Sequence, residues 1–332
     1  MGESVKTEKR TAISVRGLCK SFGDVGALAG LDFDVYSGEL FGFLGPNGAG
    51  KTTTINILTG LARPDAGTIH VGGIDCTKNP RAAQHLIGVV PDESNLYPEL
   101  SGFDNLCFSA ALYGTGRAER ERRARELLES FGLSNAADRK FGGYSRGMKR
   151  RLTIAAGIIH EPAILFLDEP TTGIDAGSAR QLRQLISELH EQGMTIFLTT
   201  HYIEEAERLC QRIAFIVSGR IVLQDTVQNL TGPMRDKYVM LVSCTPGRTD
   251  FSEELSAKFP EQDFSIMQQG VIRVEADEPV RVGPLVHFLE ERGAEVTEAR
   301  KIRPNLEDVF IRVTGIEYDL MKREKEKPGG NR

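Results

Sequence analysis

A chain of 332 residues, 40% hydrophobic and with a net charge of −5, is long enough for two globular domains and has no basic block of the kind nucleic-acid binding requires. Its five cysteines are scattered without a C-x-x-C pair, as in proteins of a reducing compartment. The start MGESVKTEKR lacks a signal peptide's apolar core, and the apolar runs are broken by His160, Glu161 and Pro162 or by Asp168 and Glu169, so a cytoplasmic chain without direct membrane insertion is expected.

Residues 1–10 are polar and expected to be disordered. From residue 11, short apolar runs alternate with longer helical patterns, the pattern of an α/β sheet protein. Glu39 to Gly45, Ala163 to Pro170, Thr195 to His201 and Arg212 to Arg220 read as buried strands. Between Pro98 and His160 the pattern is helical. At its centre, GRAERERRARELLESFGL interleaves Arg with Glu around an apolar side of Leu127, Leu128 and Phe131. Because Glu interrupts the basic run throughout, a solvated helix laced with ion pairs is favoured over a nucleic-acid patch. Near Thr231-Gly232-Pro233 the chain breaks. YVMLVSC, a helix from about Ser252, a strand pair around SIMQQGVIRVEA, a helix through LVHFLEERGA and a strand EVTEARKIR then follow, roughly β-α-β-β-α-β and compatible with a small ferredoxin-like unit. NLEDVFIRVTG reads as a final helix capped by Asn305, and the charged tail 316–332 is expected to be loose.

GPNGAGKT, Gly45 to Thr52, has P-loop spacing between an apolar strand and the helical run TTINILTGL. Its glycines let the backbone curl so that N–H groups point at phosphate oxygens, and the helix N-terminus adds partial positive charge. Gly45, Pro46, Asn47, Gly48, Ala49, Gly50, Lys51, Thr52 and Thr53 are therefore the expected nucleotide cradle. Lys51 reaches the β- and γ-phosphates, and Thr52 offers its hydroxyl to Mg²⁺. In ILFLDEP, Asp168 and Glu169 follow four apolar residues. Neighbouring strand residues face opposite ways, so the two acids divide the labour. Asp168 holds magnesium and Glu169 orients the attacking water. In FGGYSRGMKRRL, Ser145 is placed to cap a helix, while Arg146 puts a positive charge on the first turn against the helix dipole.

The order GPNGAGKT, YSRGM, ILFLDEP, TTGID, TTH resembles the ATP-binding subunit of an ABC transporter over roughly Val15 to Leu230. The resemblance implies an α/β P-loop NTPase domain over 11–232 with a helical signature subdomain at about 93–160, followed by an α+β accessory domain at 237–315. It implies an ATPase that uses ATP and Mg²⁺ in a head-to-tail dimer, with an identical chain as the expected partner. YSRGM corresponds to the family's signature, so Ser145, Arg146 and Gly147 would meet the γ-phosphate of ATP held by the other protomer. Arg146 either faces that nucleotide or points to solvent. Phe22 resembles the aromatic that stacks on adenine, Asp175 matches the acid of the interface-crossing loop, and His201 matches the switch histidine that steadies the water held by Glu169. Lys51, Glu169 and His201 are thus the expected catalytic set, with Thr52, Asp92 and Asp168 at the metal.

Asp92 stands where the family usually carries glutamine. The shorter, charged side chain could bind magnesium through water or more tightly, or it could repel the attacking hydroxide. The segment from Glu93 to Asn105 is where the family docks its membrane subunit, and Leu96, Tyr97, Leu100 and Phe103 are candidates for that surface or for a hinge core. The block ending LEDVFIRVTG resembles the accessory domain of drug-resistance and export ATPases, which implies export through a separate transmembrane permease on the cytoplasmic face of the cell membrane. The alternatives are a soluble clamp of the same type acting in translation or DNA repair, and a regulatory ATP-binding module.

Overall fold

The computed structural model describes residues 10–235, 238–245, 251–267, 270–302 and 305–314. The expected loose start, residues 1–9 of it, and the tail 316–332 lie outside the described residues. The chain forms two compact units, the first reaching Asp225 and the second spanning Thr226–Gly315.

In chain order the first unit carries β1 (Thr11–Phe22), β2 (Val25–Tyr36), β3 (Leu40–Leu44), α1 (Lys51–Leu58), β4 (Ala66–Val71), β5 (Ile74–Asp75), α2 (Pro80–Gln84) and β6 (Ile87–Val90). Three helices follow, α3 (Gly102–Leu112), α4 (Arg117–Ser130) and α5 (Arg146–Ile158). The unit closes with β7 (Ile164–Asp168), α6 (Ala176–Glu191), β8 (Thr195–Thr200), α7 (Ile203–Leu209), β9 (Arg212–Val217) and β10 (Arg220–Thr226).

The four apolar runs become the centre of a six-stranded sheet, order β10-β9-β3-β8-β7-β6. Strands β3, β7 and β8 are buried along their whole length, as continuous apolar runs in a parallel sheet require. The register pairs Leu44 with Thr200 and Asp168 with Thr199, so the carboxyl ends of β3, β7 and β8 lie level. The loops leaving those ends carry Gly45, Glu169 and His201. Parallel pairing thereby collects three distant sequence motifs at one sheet edge, where open α/β sheets bind ligands.

A second, antiparallel sheet of order β2-β1-β4-β5 covers this one, and it is not among the strands expected from sequence. Its long strands are interrupted by register shifts between Thr11 and Ile13, Val15 and Leu18, and Lys20 and Ser21, which break the period-two alternation. Phe33 carries the contact between the sheets: its ring lies 5.9 Å from that of Phe41 and 6.0 Å from that of Phe197. Helix α4 is the ion-paired surface expected of it, with Arg117–Glu121, Arg122–Glu126 and Arg123–Glu119 pairs outside and Leu128 and Phe131 buried. Leu127 is half-buried.

The second unit comprises α8 (Val227–Arg235), β11 (Tyr238–Cys244), α9 (Ser252–Lys258), β12 (Gln262–Met267), β13 (Val271–Ala276), α10 (Val282–Glu290), β14 (Val296–Ile302) and α11 (Leu306–Thr314). Its sheet order is β12-β13-β11-β14 with every neighbour antiparallel, the arrangement of a split β-α-β unit. Met240, Val242, Leu255, Val274, Phe288 and Leu289 fill its core. Asn305 caps α11 by accepting from the Asp308 amide at 3.1 Å, while the Asp308 carboxylate accepts from the Asn305 amide at 2.8 Å.

Candidate active site

The loop from β3 to α1 needs glycine at two kinds of position. At Gly45 a Cβ would lie 2.1 Å from the Ile216 carbonyl oxygen, and Gly50 sits at φ 108°, a left-handed conformation. Gly50 opens α1, whose first turn has neither a side-chain cap nor an acidic residue. The Lys51 ammonium folds back over the loop, donating to the carbonyls of Gly45 at 2.7 Å and Pro46 at 3.1 Å. It also stands 3.3 Å from a Glu169 carboxylate oxygen, with both side chains buried.

Glu169 leaves β7 at φ 49°, a left-handed conformation that costs a non-glycine residue about 1–3 kcal/mol. Its amide donates to the Thr199 carbonyl at 3.0 Å. That turn aims the carboxylate at Lys51 on one side and at His201 and Thr172 on the other. His201 Nδ1 lies 2.7 Å from Glu169 Oε2, and the Thr172 hydroxyl donates to the same oxygen at 3.1 Å. An ionised carboxylate only accepts, so this contact assigns the imidazole proton to Nδ1.

Asp168 faces the other way, as strand alternation requires. Its two oxygens accept from the hydroxyls of Thr52, at 3.0 Å, and Thr199. Burial pushes the Asp168 pKa up, those hydroxyl bonds oppose the shift, and the charges of Glu169 and Asp92 add to it. An anion held at such a disadvantage is one that a divalent cation stabilises. Thr52 and Asp168 together offer the hard oxygen ligands that magnesium takes. The donor set therefore fits Mg²⁺ beside a phosphate held by the loop.

A separate cluster gathers around the start of α5. Ser145 caps that helix, accepting from the Met148 amide at 3.3 Å. Gly147 packs on α6, where an added Cβ would lie 2.4 Å from the Ser178 hydroxyl. Asp175 caps α6 by accepting from the Ser178 amide at 2.9 Å, and hydrogen bonding to Ser178 lowers its pKa. Arg146 donates to the Gly173 carbonyl at 3.2 Å. Within one chain the arginine thus ties the signature to the TTGID loop, a destination that its sequence position does not reveal. Phe22 is 56% exposed at the end of β1, with Lys20 Nζ 5.3 Å from its ring centroid. It is therefore a surface aromatic and not part of the core.

The family described as ABC transporter matches residues 28–172. A daunorubicin resistance ATP-binding protein of Streptomyces coeruleorubidus is 38% identical over 309 residues, which cover 92% of this chain and 96% of that protein. The chain belongs to the ABC transporter ATP-binding family. A Nod factor export ATP-binding protein of Burkholderia lata is similar to this ABC chain at 39% identity over 92% of its length and 97% of the relative's. Among solved structures, a dimeric ATP-binding cassette in a post-hydrolysis state bound to ADP and Pi is 26% identical, with a TM-score of 0.60 over 64% of this chain and 98% of that one.

Two buried ionisable groups of this ABC ATPase, Arg150 and Glu205, are not among the residues assigned a role from the sequence. Arg150, on α5, is 6% exposed. Its guanidinium reaches the carbonyls of Pro170 at 2.7 Å, Asp168 at 3.2 Å, Glu169 at 2.5 Å and Pro91, and it lies 3.6 Å from an Asp92 oxygen. The signal for it was helical spacing: Gly147, Arg150 and Ile154 recur at intervals of three and four and so share the buried face.

Glu205, on α7, is 3% exposed, and among the described residues neither carboxylate oxygen has a hydrogen-bond partner of ordinary geometry. Burial raises its pKa, offset in part by the nearby hydroxyls of Thr171 and Thr200. A raised folded-state pKa means that stability is greatest below the unfolded carboxylate range and falls as pH rises through the folded value. Glu205→Gln is expected to raise the melting temperature at neutral pH and to flatten that fall. Melting curves of both proteins across the acid-to-neutral range decide it, and parallel curves would count against a protonatable Glu205.

Proposed function

We propose that this chain is the ATP-hydrolysing subunit of an exporter, two copies of which close head to tail around two Mg-ATP and drive a separate membrane permease. The observation that carries this reading is the convergence of Lys51, Glu169 and His201 beside Thr52 and Asp168, while Ser145, Arg146, Gly147 and Asp175 form a cluster of their own. A nucleotide site divided into two clusters is completed when a second copy brings its signature to the first copy's loop.

Each residue's role follows from its chemistry. The loop from Gly45 to Thr53 surrounds the phosphates with backbone N–H groups, and Lys51 neutralises their charge. Thr52 and Asp168 hold the metal, with Asp92 as a further oxygen donor on its approach. Magnesium, when bound, supplies charge stabilisation to the phosphoryl group in flight. Glu169 accepts hydrogen bonding from the attacking water, and His201, bound to Glu169 through Nδ1, keeps that carboxylate aimed. Ser145 and the amides after it meet the γ-phosphate of the other copy, Asp175 lies at the interface, and Phe22 stacks on adenine.

None of the described helices is long and apolar enough to cross a membrane, and the lipid-spanning path is proposed to be the permease's. The segment Glu93 to Asn105 is the proposed dock for that permease. Buried Asn105 holds it in shape by accepting from the Tyr97 amide at 2.8 Å and donating to the Tyr97 and Ser101 carbonyls at 3.0 Å each. Tyr97 is left 52% exposed, and a groove of about 710 Å³ runs past Glu93 and Asn95 to Leu61 and Leu112, each 70% exposed. A groove with exposed leucines at its edge and polar residues along it suits a helix from a partner protein. Similarity to antibiotic-resistance and Nod-factor export subunits over nearly the whole chain supports outward transport from the cytoplasmic face.

A tagged chain recovered from its native membranes in mild detergent tests this reading. The expected companion is an integral membrane protein in stoichiometric amount that stimulates ATP hydrolysis. Recovery of soluble ribosomal or DNA-repair proteins alone would refute the exporter assignment.

A further inference from the structure

We infer that Arg150 is a positioning residue, which holds the left-handed turn that carries Glu169 and locks it to the Asp92 loop at the head of the proposed permease dock. This rests on the reading of Glu169 given above and deepens it.

Glu169 sits at φ 49° without the freedom of glycine, and such a residue stays there only when its surroundings over-determine it. One side of the turn is held through the Glu169 amide, which bonds the Thr199 carbonyl at 3.0 Å. On the other side, the carbonyls of Asp168, Glu169 and Pro170 all accept from the single guanidinium of Arg150. Three successive carbonyls turned toward one point require a planar fork with several donors. Arginine provides this, whereas lysine presents one compact ammonium on a flexible stem.

The fork's remaining reach goes to another segment, the Pro91 carbonyl and the Asp92 carboxylate, 3.6 Å away. Burial weighs against the Arg150 charge, and the acids around it, Asp92, Asp168, Glu169 and Glu205, compensate, with Asp92 the largest of these. A glutamine at 92 would supply no such charge. The Asp92 departure and the buried arginine thus belong together. Because Arg150 is carried by α5 while Asp92 opens the Glu93–Asn105 segment, a displacement of either is transmitted to the Glu169 backbone.

The test uses the whole chain with Arg150→Lys, Arg150→Gln, Asp92→Gln and the double variant Arg150→Gln/Asp92→Gln. Hydrogen exchange in the nucleotide-free protein reads the turn without reference to activity. With Arg150→Lys, amides of residues 168–172 are expected to exchange about tenfold faster while those of residues 45–52 keep their wild-type rate. Steady-state kinetics are expected to show kcat lowered roughly tenfold with the ATP KM within about twofold, the mark of a lost orienting contact and not of lost binding. The two single substitutions are expected to combine to less than the product of their separate effects on kcat.

Unchanged exchange at residues 168–172 would overturn the inference, as would exchange accelerated throughout the chain or multiplicative effects of the two sites. If the Arg150 variants do not fold, Asp92→Asn decides, because residue 92 is on the surface. A kcat deficit that persists at saturating magnesium supports the strut. A deficit abolished by added magnesium leaves Asp92 as a metal ligand only and overturns it. Wild-type turnover that survives Glu169→Gln would instead refute the assignment of Glu169, a result distinguishable from all of these.

Discussion

Replacing Glu169 by glutamine is expected to lower Mg-ATP turnover by about 10²–10⁴-fold while nucleotide binding persists. The substitution keeps the side chain's length and lets one amide oxygen go on accepting from His201 Nδ1, 2.7 Å away in the wild type. It removes the negative charge that faces Lys51 at 3.3 Å and the capacity to accept a proton from water. Because the loop from Gly45 to Thr53 is untouched, the nucleotide still binds. Hydrolysis no longer releases the γ-phosphate contacts between copies, so the variant is expected to accumulate as an ATP-loaded dimer. Phosphate release measured beside size-exclusion chromatography separates the two effects. Turnover within a few-fold of wild type would remove Glu169 from the chemistry.

Lys51→Ala is expected to act one step earlier. The ammonium is buried and positioned by the carbonyls of Gly45 and Pro46, and so is already oriented for the phosphates it is proposed to meet. Two charge-assisted hydrogen bonds at about 1.5 kcal/mol each correspond to roughly a hundredfold in nucleotide affinity. The readout is the rise in melting temperature with Mg-ATP, since a ligand that binds only the folded chain stabilises it in proportion to the logarithm of its concentration over Kd. The alanine variant should lose most of that rise at concentrations that saturate wild type. A full rise would mean that backbone amides alone hold the nucleotide.

These two substitutions address side chains that lie against each other. Lys51 belongs to the start of α1 and Glu169 to the end of β7, and only the parallel pairing of β3, β8 and β7 brings them within ion-pair distance. The signature cluster stands apart, bound through Arg146 to Gly173 and through Gly147 to α6. The coupling proposed for Arg150 adds a mechanical route from the helical region to Glu169. It does so with a residue that is not required to touch nucleotide.

What the sequence determined by itself was everything written in short-range spacing. The P-loop needs its glycines, Lys51 and Thr52 at fixed intervals along one turn. The adjacent Asp168 and Glu169 face apart because strand side chains alternate. Ser145 and Asn305 announce helix starts because a cap lies three residues from the amide it satisfies. The split β-α-β succession of the second unit was legible for the same reason, since its strands and helices follow one another in short segments.

Tertiary structure alone decided the destinations of side chains whose partners are far along the chain. Arg150 stands in the run Lys149-Arg150-Arg151 and looks like part of a solvated basic face, yet it is buried against residues from two other segments. Arg146, exposed at the start of α5, donates to the carbonyl of Gly173, 27 residues on. The antiparallel sheet escaped notice because its bulges erase the alternation by which a strand is recognised. For Arg150 and for the Phe33 ring between the sheets, the deciding energy is desolvation. That term depends on what the rest of the chain packs around it, and spacing along a helix shows which face is buried but not which distant segment covers it.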